Sequence, residues 1–379
     1  MVDGEASTRV VIVRDRAGCG GGIYALFEAL RPHFPGHVTF VDAGRPHPYY
    51  GGSKAPWWQR GGLRLPVDAF VLAWAIVRHQ PDLVHLNTGL DKEERSLKRD
   101  AVNLLIAKAL GCRVLVQWHG WDHPASGGTE FPGGNEGWLC KTYQRAAAHV
   151  VLASAFRENL QRWGFRVPVH RVTTVVTPEV LEADPGPAVR SRVPMLLFLS
   201  RIEKTKGLWE LLDAYAELKR RKISCGLTIA GDGPDLAALK KRAAELGLAD
   251  VLFPGFVSGK EKLECFRQAS VFCFPSYSEG MPLAVLEAMA MGLPVVSSGA
   301  GALREVLLDD INGFVVPFRS GLSEGLKFSA KDLADPLERL IRDQELCRQM
   351  SVANRGAVAR HYTPERVTAA LSELYAATR

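Results

Sequence analysis

The sequence predicts an α/β protein of two doubly wound, parallel-sheet, Rossmann-like domains facing each other across a cleft. Three observations carry this. Short apolar runs, among them Val10–Val13, Met195–Leu199 and Val271–Phe274, alternate with helix-length stretches, and uninterrupted apolar runs are what strands covered on both faces require. The alternation falls into two halves around a composition shift that holds Pro178, Pro185, Pro187 and Pro194 with Glu179, Glu182 and Asp184. At 379 residues the chain is long enough for two cores. A first domain is expected over 1–178, a linker over 179–193 and a second domain over 194–360, with a last helix in 361–379.

Composition narrows the function. Apolar residues make up 47% and charged residues 23%, as in an ordinary globular protein. Lys and Arg number 47 against 41 Asp and Glu, a mild excess that suits phosphate-bearing ligands or an anionic membrane surface. No basic helix with interleaved aromatic residues points to nucleic acid. The seven cysteines are scattered without a C-x-x-C pair, which favours a reducing compartment over a disulfide framework or a zinc site. The acidic start lacks an apolar signal segment, and the run Phe70–Val77 is too short to span a bilayer. A cytoplasmic protein is expected, soluble or peripheral on the cytoplasmic face of a membrane.

In the first half, Val10–Val13 reads as a strand and Ile23–Leu30 as a helix, joined by Ala17-Gly18-Cys19-Gly20-Gly21-Gly22. A glycine-rich turn at a helix N-terminus is a candidate phosphate loop, with a plain tight turn as the bland alternative. Dinucleotide binding is the rival, because Asp42 follows the next strand, Val38–Val41. Against it, Ile23 stands where G-x-G-x-x-G needs its third glycine. Pro66–His79 reads as an amphipathic helix, Leu83–Asn87 as a strand, and 93–110 as a helix carrying Ser96 and Arg99. The strand Arg113–Gln117 then delivers Trp118-His119-Gly120 at its carboxyl end, where a side chain meets the ligand crevice. His119 is the catalytic candidate of this half. His85, Asn87, Ser96 and Arg99 are weaker candidates for an acceptor site, and His85 reads as well as a structural histidine. Ser126–Gly137 is a polar loop suited to an acceptor wall. Val150–Ser154 and Val172–Val176 read as the last strands, around a helix near Phe156–Trp163.

In the second half, Met195–Leu199 leads to Arg201 and Lys206, a guanidinium fork and a point charge placed to clamp a pyrophosphate. Cys225–Ala230 runs into Gly231-Asp232-Gly233-Pro234, and Val251–Phe253 precedes Val257. Val271–Phe274 is followed by a polar turn and a helix to Met291 that stops at Gly292. Glu279 sits on that turn and Glu287 inside the helix, with Gly280, Met281, Pro282 and Leu283 between them. Pro282 suits the first helical position, and Gly280 allows close backbone approach to a ligand. Taken alone, the two carboxylates could be a capping and a solvated Glu. Val295–Ser298 and Phe314–Val316, entered by the Asn312-Gly313 turn, complete the strands.

The string from Ser276 to Glu287, with Arg201, Lys206-Gly207 and His119-Gly120, resembles glycosyltransferase family 4, retaining nucleotide-sugar enzymes of GT-B fold with an E-x7-E signature. The resemblance covers 8–379 and is strongest over 195–317. It implies that Glu287 binds the donor ribose, Glu279 the donor sugar, and Arg201 and Lys206 the diphosphate. It places Gly20, Gly21 and Gly22 over the donor phosphate, His119 at the sugar, and Gly231, Val257, Gly280, Met281, Pro282 and Leu283 in the donor site. The last helix is expected to cross back to the first domain. Ser200 departs from the family's Gly-Arg-Leu string. No D-x-D closes a strand, so no metal or other cofactor is expected, and the diphosphate charge falls to Arg201, Lys206 and helix N-termini. The expected partners are a UDP- or GDP-sugar and a glycan or lipid-linked acceptor, in surface polysaccharide or glycoconjugate synthesis. A nucleotide-sugar 2-epimerase and a catalytically silent sugar-nucleotide-binding partner are the rivals. The stretch Tyr49–Arg60, with Tyr50, Lys54, Trp57 and Trp58, either docks on a membrane or folds onto its own domain.

Overall fold

The computed structural model describes residues 8–15, 22–43, 64–90, 95–121, 131–186, 193–321 and 325–378. The chain divides into two compact units, one of residues 1–175 with 364–379, the other of 176–363.

The first unit alternates β1 (Val10–Asp15), α1 (Gly22–Leu30), β2 (Val38–Ala43), α2 (Arg64–His79), β3 (Leu83–Leu90), α3 (Arg95–Ala109), β4 (Arg113–Trp121), α4 (Trp138–Tyr143), β5 (Ala148–Val151), α5 (Ser154–Arg162) and β6 (Val169–Arg171). Its six strands are parallel in the order β2-β1-β3-β4-β5-β6. The C-terminal helix Pro364–Ala377 belongs to this unit. Its residues Val367, Leu371, Leu374 and Tyr375, spaced to share one helical face, join Leu26, Phe27 and Leu30 in the core.

One strand is corrected. Val172–Val176 is not a strand; β6 lies just before it. The β-branched run has the right composition, but β5 ends at Val151, so no ladder partner remains beyond the bond from Val172 N–H to the Val151 carbonyl.

The second unit runs α6 (Pro178–Leu181), β7 (Met195–Leu199), α7 (Leu208–Arg220), β8 (Gly226–Ala230), α8 (Leu236–Glu245), β9 (Val251–Gly255), α9 (Gly259–Gln268), β10 (Val271–Phe274), α10 (Leu283–Ala290), β11 (Val295–Ser298), α11 (Leu303–Val306), β12 (Gly313–Val316), the small hairpin β13 (Arg319–Gly321) and β14 (Gly325–Lys327), α12 (Ala330–Arg342) and α13 (Gln344–His361). The main sheet is parallel in the order β12-β11-β10-β7-β8-β9. Part of the stretch read as linker is helix: α6 packs on α10 and buries Val180. The predicted 178/179 boundary compares with a division at 175/176.

Candidate functional site

In the second unit β7 is the switch point. Strands β8 and β9 lie on one side of it and β10 to β12 on the other, so the connections after β7 and β10 diverge and leave a crevice at their carboxyl ends. The 200–207 turn and the 275–282 turn meet there. Tyr277 N–H donates to the Thr205 carbonyl at 2.8 Å, and Ser297 and Ser298 hydroxyls hold the Phe274 and Ser276 carbonyls from β11. Gly301, at φ +55°, backs the turn so closely that a Cβ would stand 1.8 Å from the Glu279 carbonyl oxygen. Helix α10 has no side-chain cap at its start. Pro282 is its N-cap residue, one position before the first helical place the sequence suggested, because its ψ of 113° is extended.

The turns bring two expected residues together. Lys206 Nζ lies 2.6 Å from Glu279 Oε1, with both side chains nearly buried. Arg201 follows β7 but pairs with Glu203 at 3.1 Å and stays about half exposed. Gly231, at the end of β8, lies against the Ser200 carbonyl. Val257 and Met281 pack partly buried on the core. Gly280 and Leu283 are partly exposed, and Pro282 is buried.

Glu287 is buried on α10 and holds a partner that sequence reasoning missed, Lys262 of α9, whose Nζ is 2.7 Å from Glu287 Oε1. Burial raises the Glu287 pKa, Lys262 pulls it back down, and the nearby Glu179 carboxylate of α6 pushes it up. The Gly-Lys-Glu-Lys start of α9 reads as a solvated helix turn, so only the fold reveals this pair.

In the first unit His119 is the extra residue of a β-bulge. Thr88 pairs with Trp118 and Gly89 with Gly120, and His119 falls between them. Bulges of this kind re-aim a side chain. His119 Nε2 lies 2.6 Å from Asn87 Oδ1, while Asn87 Nδ2 donates to the Val13 carbonyl at 2.8 Å. With the amide so oriented, Nε2 carries the proton and Nδ1 keeps its lone pair. Burial pushes the His119 pKa down to about 3, so the ring is neutral.

Of the two readings of His85 the structural one holds and the acceptor one is corrected. His85 is fully buried and its Nδ1 lies 2.7 Å from the Tyr375 hydroxyl of the C-terminal helix, so it joins β3 to that helix inside the core, out of reach of an acceptor. Asn87 is likewise buried and orients His119. Ser96 lies on α3, partly exposed, its hydroxyl 3.4 Å from the Gly89 carbonyl. Arg99 forms two hydrogen bonds to Asp100, at 2.7 and 2.9 Å. Gly22 is the exposed first residue of α1; Gly20, Gly21, Tyr49–Arg60 and 126–130 of the polar loop lie outside the described residues. Asp42, the acid of the dinucleotide rival, instead pairs with Arg14 at 3.0 Å. Among the described residues no three His, Cys, Asp or Glu side chains gather as a metal site.

Residues 182–356 match the family described as glycosyl transferases, group 1. The chain is 30% identical over 220 residues to an alpha-D-kanosaminyltransferase of Streptomyces kanamyceticus, covering 55% of this chain and 54% of that one. It is 30% identical over 206 residues to a GDP-mannose-dependent alpha-(1-6)-phosphatidylinositol monomannoside mannosyltransferase of Mycobacterium tuberculosis, covering 50% and 51%. The chain thus spans about half the length of these relatives. Anabaena Alr3699/HepE, solved in complex with UDP, superposes with a TM-score of 0.73 at 16% identity over 97% of this chain and 100% of that one. Sucrose-phosphate synthase of Thermosynechococcus elongatus gives 0.70 at 17% identity over 97% and 98%.

Proposed function

We propose that this chain, a glycosyltransferase family 4-like protein on a GT-B fold, transfers a sugar from a nucleoside-diphosphate sugar to a glycan or lipid-linked acceptor with retention of configuration. The observation that carries the reading is the meeting of Lys206 and Glu279 at the switch point beside the uncapped start of α10. A cation and a helix N-terminus suit a diphosphate, and a carboxylate at the same place suits sugar hydroxyls. As the bond from the sugar to the diphosphate breaks, Arg201, Lys206 and the α10 N–H groups meet the charge that develops on the leaving group. Glu287 accepts from the ribose, held in place by Lys262. In the first unit His119 is kept neutral and fixed by Asn87, which leaves its Nδ1 lone pair suited to accept from a hydroxyl. The product class assigned is a surface polysaccharide or glycoconjugate. The relative named for a phosphatidylinositol mannoside supports an acceptor carried on lipid.

A panel of UDP-, GDP- and ADP-sugars tests this. The matching donor at a hundred times its Kd should stabilise the protein by about 2.7 kcal/mol. It should also be hydrolysed slowly or transferred to an added acceptor. Absence of both effects for every donor would end the reading.

A further inference from the structure

Helix α2 is apolar almost all round. Residues 69–77 read Ala-Phe-Val-Leu-Ala-Trp-Ala-Ile-Val, with no polar side chain. Leu72, Ala75 and Ile76 take the inner face and are buried, as a surface helix requires. The outer face of such a helix is ordinarily polar. Here Val67, Phe70, Trp74 and Val77 stand 49%, 70%, 57% and 66% exposed. Their spacing stacks them in one stripe along the helix.

Charge decides what can cover that stripe. Helix α2 packs beside α3, and each carries a single acid, Asp68 and Asp100. Both acids are buried, at 3% and 1% exposure, whereas Arg78 and Lys108 are exposed. The two helices therefore offer solvent an apolar stripe and cations but no carboxylate. A second copy of the chain, docked by this face, would set like charges against each other. It would also need about 800 Å² from each partner, more than four side chains supply. An anionic bilayer has no such conflict, since rings settle at the acyl boundary and cations meet the headgroups. No helix among the described residues is long and apolar enough to cross a membrane, so α2 would lie in the plane of the interface.

We propose that α2 docks the first unit on an anionic membrane surface, with Phe70 and Trp74 inserted and Arg78 and Lys108 at the headgroups. Helix α2 follows residues 49–60 in the sequence, and the proposal does not depend on the transferase reading. The full chain is sedimented with phosphatidylcholine vesicles, with and without added phosphatidylglycerol. The parent should pellet with the anionic vesicles and less with the neutral ones. Phe70→Ser with Trp74→Ser should lower partition at least ~10-fold, and Arg78→Gln with Lys108→Gln about fivefold for each cation lost. Unchanged urea midpoints and far-ultraviolet circular dichroism confirm intact units. Four results would each overturn the proposal. The parent fails to pellet, the Phe70/Trp74 variant pellets like the parent, or light scattering shows a dimer that this variant dissolves. Loss of binding only in Trp57→Ser with Trp58→Ser would transfer the docking to residues 49–60 and overturn it too.

Discussion

Lys206 Nζ and Glu279 Oε1 stand 2.6 Å apart with side chains only 11% and 12% exposed, so the cation expected to hold a diphosphate is already neutralised by the carboxylate expected to hold a sugar. Such a pair stabilises little in net terms, yet losing one partner leaves the other charged and unmatched. A donor diphosphate offers Lys206 a second anion and frees Glu279 for the sugar. On this view the pair keeps both side chains in place until the donor arrives.

Replacing Glu279 therefore separates binding from transfer. Glu279→Gln should cost the free protein about 3 kcal/mol, because Lys206 loses its counter-charge. Nucleoside-diphosphate affinity should hold or rise, since the diphosphate no longer competes with a carboxylate, while transfer falls at least ~100-fold. Calorimetric affinity beside initial rates checks this. An affinity that falls in step with the rate would show that Lys206 does not serve the diphosphate.

Glu287 predicts a pH effect on binding. Ribose hydroxyls need the ionised carboxylate, whose pKa is raised by burial and held back by Lys262. Affinity for a nucleoside diphosphate should weaken as the pH falls through that raised value. Lys262→Met removes the cation that favours ionisation, so the fall should begin at higher pH. Glu287→Gln should bind ~10- to 100-fold more weakly, from the ~1.5–3 kcal/mol of a charged hydrogen bond, and lose this component of the profile. Titrations from pH 5 to 8 decide it: superimposed profiles for Lys262→Met and parent would remove Lys262 from the role.

The sequence made the strand-turn-helix around Glu279 legible because apolar runs, Gly280 and Pro282 act locally. It also named both members of the Lys206–Glu279 pair, though not their pairing, which depends on strand order across the switch point. Lys262 left no local signal, since a lysine in the first turn of an amphipathic helix looks solvated. For His85 the sequence left a structural and an acceptor role side by side, because the partner that decides between them, Tyr375, lies 290 residues away. Val172–Val176 misled for the opposite reason, with strand composition but no neighbouring strand to pair with.

Turnover should persist in excess chelator, because Arg201 and Lys206 supply the positive charge at the switch point. The check is the initial rate in EDTA against the rate with added magnesium or manganese. Loss in EDTA with recovery on metal addition would place a cation at the diphosphate.

The buried histidines of the first unit make its stability fall in mild acid. His85 and His149 are fully buried, and burial pushes both pKa values down to about 3. His149 Nδ1 accepts the Trp118 indole N–H at 3.2 Å, which needs the neutral ring. In the unfolded chain both return to about 6.5. Above that pH neither state binds a proton and the histidines contribute no slope. Between about 6.5 and 3 the unfolded chain takes up protons the folded one refuses, so stability drops by up to about 1.4 kcal/mol per pH unit for each histidine. His149→Asn keeps an acceptor for the Trp118 indole but cannot titrate. It should be less stable than the parent at pH 7.5, yet lose about 1.4 kcal/mol less on going to pH 5.5. Urea unfolding of both proteins at the two pH values measures this difference, and carboxylates common to both cancel. Equal losses in parent and variant would show that His149 titrates normally in the folded protein.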